Sequence, residues 1–178
     1  GANVGGHLEI VAASTVADNT AEGAGGGIYS IIPYNGCEGP CTTIITNSVV
    51  AGNSTPGNGG GIFSSSDEVI VTGSSVFGNS AGGNGGGIYF EDFTQVGVDV
   101  SISNSQIGEG TNPASEPGNV AGYSGGGIFF EASAFGQPSL TVSNSTVSGN
   151  AATFGDGGGV YFSSQGSGEV GVLTLNLD

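Results

Sequence analysis

Residues 148–162 read SGNAATFGDGGGVYF, in which an asparagine is followed by three consecutive glycines and then by a short apolar segment. Variants of this stretch occur four more times, and the spacings between successive glycine triplets are 34, 26, 40 and 32 residues. The triplets begin at Gly25, Gly59, Gly85, Gly125 and Gly157. Constant segments separated by loops of varying length are typical of a solenoid, in which each repeat stacks on the one before it.

A second motif, Val-x-x-Asn, stands upstream of the glycines. From its asparagine to the first glycine of the triplet the distance is 6, 6, 6 and 7 residues in four repeats. These asparagines are Asn19, Asn53, Asn79 and Asn150. The fourth repeat instead reads NSQIGEG and then carries an insertion over residues 111–124. We therefore expect the fourth repeat to lack its asparagine.

The apolar residues between these motifs alternate with polar ones. In SLTVSNSTV, residues 139–147, Leu140 and Val142 share one face of an extended chain while Thr141 and Ser143 share the other. No stretch of the chain has the spacing of an amphipathic helix. Two buried columns are expected to run through the stack, one from each motif. They are Ile28, Ile62, Ile88, Ile128 and Val160, and Val16, Val50, Val76, Ile107 and Val147.

The paired motifs resemble the repeat of the chlamydial polymorphic outer-membrane proteins and of related bacterial surface proteins, in which Gly-Gly-apolar-apolar accompanies Phe-x-x-Asn. Valine replaces the phenylalanine of that family here. The matching glycines are Gly26, Gly27, Gly60, Gly61, Gly86, Gly87, Gly126, Gly127, Gly158 and Gly159. The resemblance implies an all-β, right-handed parallel β-helix of about six coils with variable loops. We expect residues 1–178 to form one such domain.

Glycine and asparagine suit the corners of such a coil. A residue without a Cβ tolerates a left-handed backbone or the close approach of the next coil. Asparagine is the residue next most often found in the left-handed region, and stacked asparagine side chains form hydrogen-bonded ladders.

The charge of the chain excludes several classes of partner. It contains no Lys or Arg and 15 Asp and Glu residues, so its net charge is −15. Proteins that bind nucleic acid or anionic lipid use basic side chains, and these partners are therefore excluded. No apolar run is long enough for a membrane span.

Two cysteines, Cys37 and Cys41, stand in the sequence GCEGPC. Their spacing favours a small disulfide loop over free or metal-bound thiols, since two thiols are too few for a metal site. A disulfide favours an extracellular or cell-surface location.

The acidic residues that follow the apolar strands have two interpretations. They are Asp67, Glu68, Glu91, Asp92 and Glu131. The preferred one is a solvated rim that discourages aggregation, with no cofactor required. The alternative is that their carboxylates bind Ca²⁺.

Enzymatic activity is not expected. Polysaccharide lyases of this fold use Arg or Lys, which are absent, and hydrolases need two carboxylates at a set separation. The single histidine, His7, has no evident Ser or Cys partner in the sequence. Ice binding would require a regular Thr-x-Thr pattern in every coil, and none is found. Asn53 and Asn144 each begin an Asn-Ser-Thr triplet and are candidate glycosylation sites.

The two ends of the chain are strongly apolar strands. We expect residues 170–177 to pair with residues 4–11 of another copy, because non-closing head-to-tail contacts give filaments. This edge would consist of Val4, Leu8, Ile10, Leu173, Leu175 and Leu177. The sequence thus predicts a non-enzymatic, extracellular structural or adhesive rod that displays residues 31–42 and 111–124 as loops.

The alternative is a carbohydrate-binding or carbohydrate-cleaving domain of a larger secreted protein, with host-surface or matrix glycans as partners. Such a domain needs aromatic side chains in its loops. The candidates are Tyr34, Phe93, Tyr123, Phe135 and Phe154.

Overall fold

The computed structural model describes residues 2–32, 37, 40–91, 98–132, 137–164 and 171–177. Within these ranges the regular elements are all β-strands. They are β1 (Ala2–Gly5), β2 (His7–Ile10), β3 (Thr15–Ala17), β4 (Ile28–Ile31), β5 (Thr42–Thr46), β6 (Val49–Ala51), β7 (Ser54–Thr55), β8 (Ile62–Ser64), β9 (Glu68–Thr72), β10 (Ser75–Phe77), β11 (Ser80–Ala81), β12 (Ile88–Glu91), β13 (Asp99–Ser103), β14 (Gln106–Gly108), β15 (Val120–Ala121), β16 (Ile128–Ala132), β17 (Ser139–Ser148), β18 (Ala151–Ala152), β19 (Val160–Ser164) and β20 (Val172–Leu177).

Successive repeats place their strands side by side in stacked sheets. Sheet A has the order β1-β4-β8-β12-β16-β19. The first half of the long strand β17 belongs to sheet B, which runs β2-β5-β9-β13-β17-β20, and its second half to sheet C, which runs β3-β6-β10-β14-β17. Sheet D consists of β7-β11-β15-β18. All of these pairings are parallel, so the prediction of an all-β chain of stacked parallel strands is confirmed.

The predicted apolar columns form the core. Ile28, Ile62, Ile88 and Ile128 are in register in sheet A and fully buried, with Val160 packed at the end of the row. In sheet C, Val16, Val50, Val76, Ile107 and Val147 are likewise in register. Strand alternation therefore sets the core, because each apolar side chain faces inward at the same place in every repeat.

The first glycine of each triplet has a left-handed backbone, with φ between 66° and 71°. In the first four triplets the second and third glycines are needed for a different reason, which is the close approach of the next repeat. A Cβ on Gly86 would lie 2.5 Å from the carbonyl oxygen of Gly126, and one on Gly87 would lie 2.7 Å from that of Gly127. The Gly87 Cβ would also lie 2.9 Å from the side-chain nitrogen of Asn119. The missing side chain thus leaves the space that an asparagine of the next repeat occupies.

The asparagines form one continuous ladder inside the fold. In Asn53, the backbone N–H and one side-chain N–H both donate to Oδ1 of Asn79, each at 3.0 Å. The other side-chain N–H donates at 2.9 Å to the carbonyl oxygen of Val16 in the preceding repeat. The same pattern continues through Asn119 to Asn150, and Asn53, Asn79 and Asn119 are essentially inaccessible to water.

The prediction that the fourth repeat lacks its asparagine is wrong. Asn119 takes that place although it follows Ile107 by 12 residues instead of 3. The inserted residues loop outward and return the chain to the ladder. The insertion interrupts the Val-x-x-Asn motif in the sequence, but the hydrogen-bonded asparagine ladder continues through the fourth repeat.

The expectation that these asparagines supply the left-handed residue is also wrong. In four repeats the left-handed residue is the one before the ladder asparagine, namely Asp18, Gly52, Gly78 or Gly149. Left-handed asparagines occur at the corner between sheets B and C, at Asn47, Asn104 and Asn144. A ladder asparagine does not need the left-handed backbone, since its role is carried by its side-chain amide.

The close approach at the third glycine of the triplet can be tested with two matched substitutions. We expect Gly87→Ala to lower the free energy of unfolding by about 2 to 3 kcal/mol, because its methyl group would overlap backbone atoms. In Gly159→Ala, at the equivalent place in the last repeat, the nearest atom would be Val147 Cγ1 at an ordinary 3.5 Å. That variant should stay within about 0.5 kcal/mol of the wild type. Denaturant unfolding measures both, and equal losses would contradict the close-approach explanation.

The asparagine ladder can be tested at Asn119, its member in the fourth repeat. We expect Asn119→Ala to cost about 3 kcal/mol, because the buried amide groups of Asn79 lose their acceptor. The exposed Asn112, in the same insertion, provides the control Asn112→Ala, which should have little effect. Thermal and denaturant unfolding followed by circular dichroism would show the difference, and two equally stable variants would contradict the assignment of Asn119 to the ladder.

Candidate functional site

The two cysteines lie on the connection between sheets A and B. Cys37 and Cys41 form a disulfide with a Cα–Cα distance of 5.6 Å. The backbone N–H of Cys41 donates to Oδ2 of Asp67 at 2.8 Å. One of the predicted calcium ligands therefore already has a structural role, because it anchors the end of the disulfide loop to the next repeat.

The other acidic candidates are divided between two sheets. Glu68 lies in sheet B, in register with Thr42 on one side and Asp99 on the other. Glu91 and Glu131 are in register on neighbouring strands of sheet A. Asp92 lies outside the described residues. Among the residues that are described, no three or more His, Cys, Asp or Glu side chains lie close enough together to hold a metal ion. Calcium binding stays a prediction.

The surroundings of Glu91 change the pKa of its carboxyl group. Partial burial raises its pKa above the ordinary 4.5, and the neighbouring charge of Glu131 raises it further. A hydrogen bond from the hydroxyl of Tyr89 opposes both effects. In turn, burial and the charge of Glu91 raise the pKa of the Tyr89 hydroxyl. These side chains form a small polar cluster at the end of sheet A.

His7 has partners that the sequence did not reveal. Its Nδ1 is hydrogen-bonded to Oγ1 of Thr42, and its Nε2 lies 3.9 Å from Oε2 of Glu9. Thr42 is 35 residues away in sequence but directly opposite in register. His7 and Glu9 are more than half exposed on the outer face of sheet B. The prediction that the chain is not an enzyme is not tested by this arrangement.

An aromatic row covers the outer face of sheet A. Rings from successive repeats stack at centroid distances of 4.7 to 5.1 Å. They belong to Tyr29, Phe63, Tyr89, Phe129 and Tyr161. Because each inner ring uses both faces on its neighbours, this row stabilises the stack and does not present ring faces to a ligand. The aromatic residue after each Gly-Gly-Ile or Gly-Gly-Val was its sequence signal.

Two of the predicted loop aromatics are exposed. Tyr123 and Phe154 are 59% and 83% exposed and lie on the turns that join sheet D to sheet A in the fourth and fifth repeats. Tyr34, Phe93 and Phe135 lie outside the described residues.

The displayed loop of the fourth repeat is ordered against sheet C. The N–H of Gly78 donates to the carbonyl oxygen of Pro117 at 2.8 Å. Between this loop and the C-terminal ends of β3, β6 and β10 lies an open cleft of about 430 Å³. Only part of the other predicted loop, residues 31–42, lies in the described ranges.

The two candidate glycosylation sites differ in access. Asn53 is fully buried and its side-chain amide is bound within the ladder, which leaves no room for a glycan. Asn144 has an exposed side chain at the corner between sheets B and C. Of the two, Asn144 is accessible.

The last strand exposes the predicted apolar edge. Leu173 is in register with Leu140, and Leu175 with Val142, so both continue the core columns of sheet B. Nevertheless Leu173, Leu175 and Leu177 are 39%, 45% and 45% exposed. In the first repeat Leu8 is buried and Ile10 is half-buried, while the side chain of Val4 is outside the described part.

No protein-family profile matches the chain, and no curated protein or solved structure matches it. The resemblance to polymorphic outer-membrane proteins therefore rests on the repeat motif. In the part of the chain that is described, no helix has the length and apolarity needed to cross a membrane.

The perturbed carboxyl group predicts a pH dependence. Because the pKa of Glu91 is raised on folding, its protonated form stabilises the fold at low pH. That contribution is lost as the pH rises from 4.5 through the raised value. Between about pH 4 and about pH 7, the wild type should therefore lose stability relative to Glu91→Gln. Unfolding at a series of pH values, with the exposed Glu22→Gln as the control, measures this. Parallel profiles for wild type and Glu91→Gln would contradict it.

Proposed function

We propose that the chain forms a right-handed parallel β-helix of about six coils and serves as a non-enzymatic, extracellular structural or adhesive element. The parallel, in-register sheets and the continuous core support the helix. The Cys37–Cys41 disulfide supports an oxidising, extracellular setting. Asparagine ladders and stacked rings run along the axis, so they stiffen the molecule in the direction in which a rod bears load.

We further propose that copies join end to end, and the exposed leucines of β20 carry this proposal. Leucines on a strand that packs against a core are normally buried, but three leucines of β20 are about two-fifths exposed. An exposed strand of this kind is a template for pairing with a further strand. In sheet B the same core column contains Leu8, Leu140 and Leu173. Continuing the register places Leu173 of one copy opposite Leu8 of the next, and Leu175 opposite Ile10.

The charge of the chain constrains this assembly. Each copy has a net charge of −15, so stacked copies repel one another until salt screens the charges. Assembly should therefore increase with ionic strength. If the acidic rim binds Ca²⁺, the ion would lower the repulsion further.

The assembly can be tested by electron microscopy and by cross-linking. Negative-stain images of the purified chain at moderate salt, with and without a calcium chelator, should show fibres. Leu173→Asp combined with Leu175→Asp should abolish them, while Val120→Asp, an exposed apolar residue on β15, should not. Loss of fibres in chelator alone would assign the rim to Ca²⁺.

A cysteine pair tests the register itself. Val172 and His7 face outward at equivalent places in sheet B, so Val172→Cys with His7→Cys should give a covalent series of oligomers on oxidation. A chain that stays monomeric in the images and in this cross-linking experiment would overturn the assembly proposal.

A second candidate function is that of a carbohydrate-binding domain of a larger secreted protein. The observation that favours it is the pair of exposed rings, Tyr123 and Phe154.

A further inference from the structure

The last asparagine of the ladder faces the end of the stack. In each of the four preceding rungs, the backbone N–H and one side-chain N–H both donate to Oδ1 of the asparagine in the next repeat. Asn150 is the fifth ladder asparagine, and no sixth lies among the described residues. Its two N–H groups therefore point to the position that an amide oxygen occupies in every earlier repeat.

The same position has an acceptor group and open space beside it. The other side-chain N–H of each later ladder asparagine donates at 2.9 Å to a carbonyl oxygen of the preceding repeat, and Val147 holds the equivalent place in the fifth repeat. A Cβ on Gly127 would lie 2.8 Å from the side-chain nitrogen of Asn150. For a Cβ on Gly159, the nearest atom would be Val147 Cγ1 at 3.5 Å. Two donors, one acceptor and room for a carboxamide group thus meet at the end of the ladder.

A strand edge runs on both sides of this position. In sheet C, β20 covers β17 only as far as Ser145, and residues 146–148 pair with β14 on their other side. In sheet D, β18 is the last strand. We call residues 146–152 the terminal edge. Among the described strands, none pairs with its outer side, and Val147 and Asn150 are half-buried where their counterparts Val76 and Asn79 are fully buried.

We propose that the terminal edge binds an extended peptide segment of another protein that contains the pattern Val-x-x-Asn. The valine of this segment lies on Val147 and continues the apolar column of sheet C. Its asparagine accepts the two N–H groups of Asn150 and donates to the carbonyl oxygen of Val147. The ligand chemistry follows from the chain itself, because the equivalent position is filled four times by such an asparagine. An added strand of this kind gains backbone hydrogen bonds along the edge and specificity from its side chains.

This binding site differs from the leucines of β20. Sheet B continues past β17 to β20, whereas sheets C and D end at residues 146–148 and at β18. A second copy whose β2 pairs with β20 therefore holds its β3 two strand spacings, about 9.6 Å, from the terminal edge. One extended strand fits between them at the ordinary spacing. The site stays open in the proposed filament and does not require the filament.

The experiment is an NMR titration of the isotope-labelled chain at low ionic strength, where the charge of −15 opposes assembly. The probe is the acetylated and amidated peptide SVFGNSAG, the sequence of residues 75–82. The register of the sheets places its valine opposite Val147 and its alanine opposite Ala152. Resonances of residues 146–152 should shift. At a peptide concentration ten times the dissociation constant, exchange of the Asn150 N–H should slow by about tenfold.

Gly159→Ala is the informative variant of the chain, because its methyl group has room in the chain alone. In the complex that methyl group would lie within about 3 Å of the peptide amide, as a Cβ on Gly87 or Gly127 would from its asparagine. Binding should weaken by more than tenfold. Asn112→Ala, in the exposed loop, is the control and should bind as the wild type does.

Peptide variants test the asparagine itself. Asn79→Ala in the peptide should weaken binding by about tenfold, because the hydrogen bonds of the amide are lost. Asn79→Asp should abolish binding, since a carboxylate has no N–H for Val147 and is repelled by the negative charge of the chain.

Four results would overturn the inference. The first three are that the peptide does not bind, that it binds Gly159→Ala as well as the wild type, or that its Asn79→Ala variant binds equally well. These three leave the assembly at β20 untouched. The fourth is that the Asn150 N–H becomes protected without peptide as the chain is concentrated. A second copy would then occupy the terminal edge, which would also contradict the register proposed for β20.

Discussion

The structure depends on one contact that recurs at each step of the stack, in which an asparagine side chain fills the space left by a glycine of the preceding repeat. Gly87 has no Cβ, and the amide nitrogen of Asn119 lies only 2.9 Å from the position that this atom would take. The same amide binds a carbonyl oxygen behind it and the next asparagine ahead of it. Each rung therefore joins three repeats, and the two sequence motifs are halves of a single interaction.

This contact explains why the chain tolerates large differences between repeats. The intervals between ladder asparagines range from 26 to 40 residues, yet the hydrogen-bond distances along the ladder stay between 2.9 and 3.0 Å. Insertions leave the coil at its corners and return at the next fixed point. Loops can thus vary in length and carry different surface groups without changing the core.

Alternation and the glycine triplets were sufficient to predict the strands, the parallel stacking and both apolar columns, because these depend on which face each residue takes. The rung of the fourth repeat could not be predicted, since Asn119 is separated from Ile107 by an insertion and only the hydrogen bonds identify it. The same limit applies to His7 and Thr42, which are adjacent only through register. The stacked rings of sheet A were visible as a sequence pattern, but their burial depends on contacts between repeats.

The exposed apolar side chains lie on surfaces that take no part in the asparagine–glycine contacts. Strand β20 exposes leucines that continue the core columns, and two successive turns between sheets D and A expose Tyr123 and Phe154. These surfaces lie in different places, the leucines on a strand at the end of sheet B and the two aromatic side chains on turns at the side of the stack.

Amide hydrogen exchange measured by NMR tests the central contact most directly. We expect the backbone N–H groups of Asn53, Asn79 and Asn119 to be among the slowest to exchange in the protein, because each donates to the next asparagine inside the fold. The N–H of Asn150, which has no further ladder asparagine in the described chain, should exchange much faster. Rapid exchange at Asn79 and Asn119, at the rate of the exposed loop around Asn112, would contradict the ladder and with it the explanation of the repeat.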